Sequence, residues 1–438
     1  MIRKAVLILL ISLFGLPVVA QKATEPADPP PQTVTSATLT LDDLVREALQ
    51  KNPAVQSALH AVQGQRLRVP QARSWPEPTL ALGWMGNIAP FDVQAGDPSS
   101  YRSVSAMQEI PYPGKLRLRG EVASKEAQVA WWDYEALRRQ VAAGVKTAYY
   151  DYFFYDKALQ VTRRDKELLG KLASIAEARY RVGKGIQQDV LRSQVEVSLL
   201  LQKVTTLEQQ RDTAQARLNS FLARAPESPL PAPAEVQAAA LQSLDALYAL
   251  ARSNDTGLQR EQQMVERNQL AADLARKDYY PDLSVGYMYQ QRPLMPDMHG
   301  LTFSLKIPVF YKSRQRAAVQ EAAEQVVSAQ QGREERRNEL YFQLKQEYLA
   351  AKASSELVKL YSQGVVPQSS LALESAMSAY QVGTVDFLSV LANFRNLLDY
   401  ETDYYRELAN YQSALARMEP LVGQDLTSAQ STAPGVKP

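Results

Sequence analysis

Between Pro113 and Pro226 the chain runs without a proline, and between Pro308 and Pro367 it does so again. Both intervals are filled with the residues that lose least on entering a helix: Ala, Leu, Arg, Gln and Glu. A helix over about 115–180 rises to a length on the order of 100 Å. No compact domain encloses a rod of that length. It must belong to a hairpin or bundle that bridges a gap. A bare coiled-coil stalk would satisfy this pattern too, but the segments before each rod argue against it.

Those segments alternate. In PTLALGWM (78–85), Leu80, Leu82 and Trp84 point one way and Thr79, Ala81 and Gly83 the other. Its return strand, SYRSVSAMQEI (100–110), carries a weaker pattern. In the second half, Leu283, Val285, Tyr287 and Tyr289 alternate with Asp282, Ser284, Gly286 and Met288. Leu301, Phe303, Leu305 and Ile307 then alternate with Thr302, Ser304 and Lys306. Runs of roughly nine to eleven residues are what a tilted strand needs to cross a bilayer. Aromatic residues (Trp75, Trp84, Tyr101, Tyr112, Tyr279, Tyr280, Tyr289, Phe310 and Tyr311) gather at the strand ends, where interfacial girdles sit.

The two halves repeat one plan. YRVGKGIQQDVL (180–191) is echoed by YQVGTVDFLSVL (380–391), PTLALGWM by PDLSVGYM (281–288), and IPYPGKLRLR (110–119) by IPVFYKSRQR (307–316). Three echoes in one order, about 200 residues apart, mark a tandem duplication. Each half reads as helix, strand, strand, very long helix, turn, helix.

Domain boundaries follow. Residues 1–20 have a basic start, an apolar run and a small-residue end, the layout of a cleavable secretory signal. Residues 21–38 read as a flexible leader, 39–223 as the first repeat and 224–240 as a proline-rich linker. The second repeat covers 241–422, and 423–438 reads as a disordered tail. Four strands cannot close a barrel, and open edges cannot face lipid. Closure needs copies. Two chains give eight strands, whose interior fills with side chains, so a conducting pore favours twelve strands from a homotrimer.

Composition excludes several classes. With no cysteine there is no disulfide framework, thiolate site or lipid-modified cysteine anchor. A formal charge of +2 on 438 residues offers no nucleic-acid footprint. Two histidines, His60 and His299, and no glycine-rich nucleotide loop leave little on which to build an enzyme mechanism, so none is expected. The dipeptide Gly114-Lys115 lacks the phosphate-loop context, because Glu109 stands five residues upstream and Leu116 follows. YYDYFFYD (149–156) reads as aromatic packing inside a helical hairpin. No cofactor is implied.

The secretory signal, the duplicated halves, the strand hairpins and the repeated Y-x-V-G-x-x-x-x-x-x-V-L together resemble the TolC-type outer-membrane efflux family over nearly all of 39–422. The resemblance implies a mainly α-helical chain: a trimeric twelve-stranded β-barrel, four strands per chain, continued by a long periplasmic α-helical barrel. It implies an outer-membrane location reaching into the periplasm, with lipid around the barrel. Gly183, Gly185 and Gly383 would make the tip turns, and Val182, Gly183, Lys184, Val382, Gly383 and Thr384 would dock a periplasmic adaptor of an inner-membrane pump.

For channel closure, the resemblance implicates Asp189 and Tyr380. It expects an arginine where Val385 stands and aspartates where Ser389 and Ala392 stand, and Asp386 lies nearby without a matching motif. QEIPYPGKLRLRGEVA (108–123) resembles the strand-to-helix passage of the heavy-metal branch, the CzcC- and CusC-like components that work with pumps of the RND (resistance-nodulation-division) type. Met295, Met298 and His299, placed in a loop between the third and fourth strands, are weak candidates for a soft metal ion. Multidrug efflux and type I protein secretion are the rival cargo classes of the same fold.

Overall fold

The computed structural model describes residues 40–87 and 92–427. The secretory signal, the leader and the tail beyond 427 lie outside the described residues.

Each half opens with two helices, not the single one expected. α1 (Leu41–Lys51) gives way at Asn52 to α2 (Pro53–Arg73), and α5 (Leu244–Asn254) gives way at Asp255 to α6 (Thr256–Lys277). The break is chemical. The Asn52 side chain accepts from the Ala54 amide at 2.9 Å and Asp255 from that of Leu258 at 2.7 Å, so each caps a new helix. Thr40 and Ser243 cap the preceding helices in the same way.

The rods follow the strands. α3 (Lys115–Arg181) is one unbroken helix of 67 residues, and it turns at Gly183 into α4 (Gln187–Phe221). Its partner in the second half is interrupted. α7 (Gln315–Leu360) passes through a π-helical turn (Tyr361–Val365) into α8 (Val366–Val382), and Gly383 leads to α9 (Phe387–Val422). Pro367, at the start of α8, lacks the amide that an α-helical ladder would use, which places the irregularity there.

The four strands, β1 (Thr79–Met85), β2 (Tyr101–Ile110), β3 (Asp282–Gln291) and β4 (Met298–Lys306), form one antiparallel sheet in chain order. β1, with seven residues, is shorter than expected. The pairing β2–β3 joins the halves, and β1 and β4 are left as edges.

Helical packing makes three buried clusters. One surrounds Tyr149, Tyr150, Phe153 and Phe154 of α3 with Leu44, Leu218 and Leu408, so the aromatic run is a core. A second, towards the turns, holds Leu169, Leu172, Tyr380, Phe387 and Phe394. The third packs Leu247, Leu340, Leu344, Tyr411 and Met418. Residues 224–243 form a strap without regular structure before α5. The Ala234 amide donates to the Tyr149 hydroxyl at 3.0 Å, and Tyr411 and Gln412 donate to the carbonyls of Ala239 and Gln237.

The packed chain runs past the expected tail boundary at 423. The Thr427 hydroxyl lies 2.8 Å from Lys146 Nζ and 2.9 Å from Glu419, and Leu426 is buried.

Candidate functional site: the sheet and the helical tips

The register sorts the sheet into two chemically distinct faces. Leu80, Ala106, Tyr287 and Leu301 lie opposite one another, as do Leu82, Val104, Tyr289 and His299. With Val285, Phe303, Leu283 and Leu305 they make one apolar face, and Leu80, Leu82, Leu301, Phe303 and Leu305 are each more than half exposed. The other face carries Ala81, Gly83, Ser103, Ser105, Ser284, Gly286, Gly300, Thr302 and Ser304. An apolar face left bare beside a small, polar one is the pattern of a strand set between lipid and water. Among the described residues, no helix is long and apolar enough to cross a membrane.

Where the sheet meets the helices, Lys115 is buried to 3% exposure. Its Nζ lies 2.9 and 3.0 Å from the two Asp282 oxygens and 3.2 Å from Asp278. Asp282 also accepts from the Tyr112 amide at 2.7 Å. Tyr112 stacks on Tyr280 at 4.4 Å, with the Lys277 ammonium near both rings. This latch ties the first long helix to the start of β3. Gly114-Lys115 is thereby a structural joint.

The weak metal candidates do not converge. β4 begins at Met298, so Met298 and His299 belong to the strand and only Met295 to the loop. Successive strand residues face opposite sides, and His299 is held on the apolar face by the Tyr287 hydroxyl, 2.7 Å from Nδ1. Pro296 and Gly300 mask the strand start in the sequence. Among the described residues, no group of three or more His, Cys, Asp or Glu could hold a metal ion.

At the opposite end, Val182 and Val382 are 68% and 77% exposed, and Lys184 and Thr384 are exposed beside them. Gly183 (φ +71°) and Gly383 (φ +87°) adopt the left-handed conformation that ends each helix. Gly185, expected to share that duty, is not among the positive-φ residues. Asp386 caps α9 by accepting from the Ser389 amide at 3.1 Å, and the Ser389 hydroxyl first, then this amide, hold its carboxyl below the usual range. Ser389 and Ala392 are exposed on the first turns of α9.

Tyr380 is buried, and its hydroxyl donates to Asp189 at 3.3 Å, joining α8 to α4. Burial, and next the Asp189 carboxylate, push its phenol up to about 12. Arg179, near the end of α3, escaped the sequence reading. Its guanidinium donates to the carbonyls of Tyr380 and Lys184 and lies 4.6 Å from the Tyr380 ring centroid. The first hairpin thus supplies an arginine at the tip of the second, where Val385 offers none. Further along, Arg395 pairs with Glu196, whose side chain is 8% exposed, and Arg164 with Glu401. A groove lined by Gln188, Leu191, Val195, Leu388 and Arg395 runs between α4 and α9 beside the tips.

Comparison with known proteins fits this geometry. The family profile described as Outer membrane efflux protein matches residues 44–224 and 247–424. Among solved structures, CusC, described for conformational changes accompanying folding and transmembrane channel formation, superposes with a TM-score of 0.75. It is 15% identical, over 92% of this chain and 99% of that one. The outer membrane protein VceC of Vibrio cholerae gives 0.73 at 16% identity, over 88% and 96% of the two chains. The MtrE outer membrane channel of Neisseria gonorrhoeae, solved in its open state, gives 0.73 at 16% identity, over 90% and 91%. A comparison with curated proteins finds no match.

Proposed function

This chain belongs to the outer membrane efflux protein family, whose members are trimeric channels, and from that premise we propose that it is the exit duct of a tripartite system exporting heavy-metal cations. The observation that carries the duct is the sheet: one bare apolar face, one small polar face and two open edges on a single chain. Three such sheets joined edge to edge make a twelve-stranded barrel without a free edge. Its apolar face meets lipid, and its small polar face lines water. A duct of this kind acts by being wide and wet. It needs no catalytic group, and selectivity rests with the pump that fills it.

The helices carry the path away from the membrane. The α3–α4 and α7–α9 hairpins place both Y-x-V-G turns at one end, roughly 100 Å from the sheet at 1.5 Å per residue. Val182, Gly183, Lys184, Val382, Gly383 and Thr384 are the docking surface for a periplasmic adaptor, exposed and supported from beneath by Tyr380 and Arg179. The Tyr380–Asp189 bond and the Arg179 contacts hold the two hairpins together at the tip. Release of these contacts widens the passage. The metal cargo and the RND-type pump rest on the resemblance of residues 108–123 to the heavy-metal branch.

Growth of a deletion strain on graded copper, silver, zinc, cobalt and cadmium, beside dyes, detergents and antibiotics, tests the cargo. Sensitivity confined to metals and restored by the gene is the expected result. Sensitivity to organic compounds moves the chain to multidrug efflux. An unchanged strain on both panels removes the support for efflux and favours protein secretion.

A further inference from the structure

The water-facing side of the sheet contains a feature that a plain duct does not require. Met107 on β2, Met288 on β3 and Met298 on β4 all lie on it, among serines, threonines and glycines. Met107 and Met298 are nearly half exposed. Apolar side chains of this size are out of place on a surface that faces water, so their arrangement is informative.

They step diagonally across the sheet, and each step has a glycine beneath it. Met107 pairs with Gly286, and its methyl carbon lies 3.5 Å from where a Gly286 Cβ would stand. Two residues along β3 on the same face is Met288. Met288 in turn pairs with Gly300, and its methyl lies 3.5 Å from the Cβ position there. Two residues back along β4 is Met298. Met107 and Met288 therefore each lean across a glycine towards the strand that bears the next thioether. The i,i+2 spacing on a strand is about 7 Å and the strand separation about 4.8 Å. Flexible side chains with three rotatable bonds can bring neighbouring sulfurs onto one ion across such gaps.

We propose that a soft monovalent cation, Ag(I) or Cu(I), is held on the inner wall of the barrel by two thioethers at a time, Met288 together with either Met107 or Met298. Thioether sulfur is the side-chain donor that favours such ions over Zn(II) or Co(II). It carries no proton in the working pH range, so binding needs no proton release. His299, the one imidazole nearby, is turned to the opposite face and takes no part. The inference deepens the metal-cation reading above and rests on it for its biological sense, although binding can be measured independently of cargo.

The test uses the detergent-extracted full-length protein with 13C-methyl-labelled methionine, titrated with silver nitrate in chloride-free buffer. The Met107, Met288 and Met298 methyl resonances are expected to shift together, while those of Met264, Met377 and Met418 in the helices stay fixed. Uptake should be flat from about pH 5.5 to 7.5, whereas an imidazole ligand would titrate there. Replacing the three by leucine, which conserves volume, should cut Ag(I) uptake about tenfold or more.

Unmoved resonances on folded protein overturn the site, as does a leucine variant that takes up as much silver as the parent. A methyl shift with growth unaffected by deletion on every metal of the panel supports the site and overturns the metal cargo. Unmoved resonances with a metal-sensitive deletion strain overturn the site and leave the cargo standing.

Discussion

Replacing Lys115 by methionine keeps the aliphatic stem of the residue and removes its charge. The ammonium is 3% exposed and touches both Asp282 oxygens, and the Asp282 side chain is 17% exposed. Breaking a fully buried pair by removing one partner costs about 3–5 kcal/mol. Here the penalty is smaller, because Asp282 keeps the Tyr112 amide at 2.7 Å and Asp278 is 55% exposed and readily solvated. The expected loss is about 2–3 kcal/mol. Asp282→Asn in the same chain removes the stranded charge while retaining an acceptor for Tyr112, so the double variant should recover about half of that loss. The assay is the urea midpoint of the detergent-extracted protein, followed by near-ultraviolet circular dichroism, for the parent, both single variants and the double. A non-additivity of about 1–2 kcal/mol is expected for groups in direct contact. If the two substitutions simply add, or if Lys115→Met unfolds with the parent, the joint between sheet and rods is not electrostatic and the reasoning fails.

Three further outcomes follow from the same geometry. Gly383→Ala forces a left-handed backbone onto a residue with a Cβ, and that Cβ would stand 3.1 Å from an Arg179 nitrogen; a loss of about 1–2 kcal/mol in unfolding is expected. For Tyr380 the folded phenol titrates near 12 against about 10 unfolded, so its stabilisation is complete below pH 10 and is lost as pH rises towards 12. Tyr380→Phe should flatten that decline between pH 10 and 12, seen as a smaller fall in melting temperature than in the parent. Arg336→Ala removes the two-nitrogen pairing to Asp255, which is 1% exposed and caps α6. About 2–4 kcal/mol should be lost in chemical unfolding, and Arg336→Lys should restore only part of it.

The sequence made the largest elements plain. α3 begins two residues after Pro113 and ends two before Gly183, because proline and glycine punctuate a chain that otherwise has no reason to leave the helix. The faces of β1, β3 and β4 were legible from alternation, whereas β2, with its weaker pattern, takes its faces from pairing with β1 and β3. What was missed involved competing signals. Asn52-Pro53 reads as a break or as a continuous amphipathic run until the cap bond is seen, and Asp255 carries no proline to mark the spot. The π-helical turn before Pro367 is a local accommodation that composition does not announce.

At the tips, the glycines and Tyr380 were readable from the repeat. Arg179 was not, because it has no counterpart in the other half and Tyr380, its partner across the tip, lies 201 residues away in sequence. Pro296 and Gly300 bracket Met298 and give it the look of a loop residue, although Met298, Gly300 and Thr302 already share one face with period two.

The central claim is that three sheets close into one barrel through their β1 and β4 edges. Because the chain lacks cysteine, a pair introduced on those edges, Ala81→Cys with each of Thr302→Cys and Ser304→Cys in turn, forms the only possible disulfide. Within one chain the edges are three strand spacings apart, about 14 Å, beyond the reach of a disulfide. Oxidised outer membranes run on a denaturing, non-reducing gel should then show covalent dimer and trimer, with trimer the largest species and reducing agent returning all to monomer. A ladder stopping at dimer would mean eight strands. Monomer alone across the panel, or a ladder extending past three, would contradict the closed barrel and with it the duct.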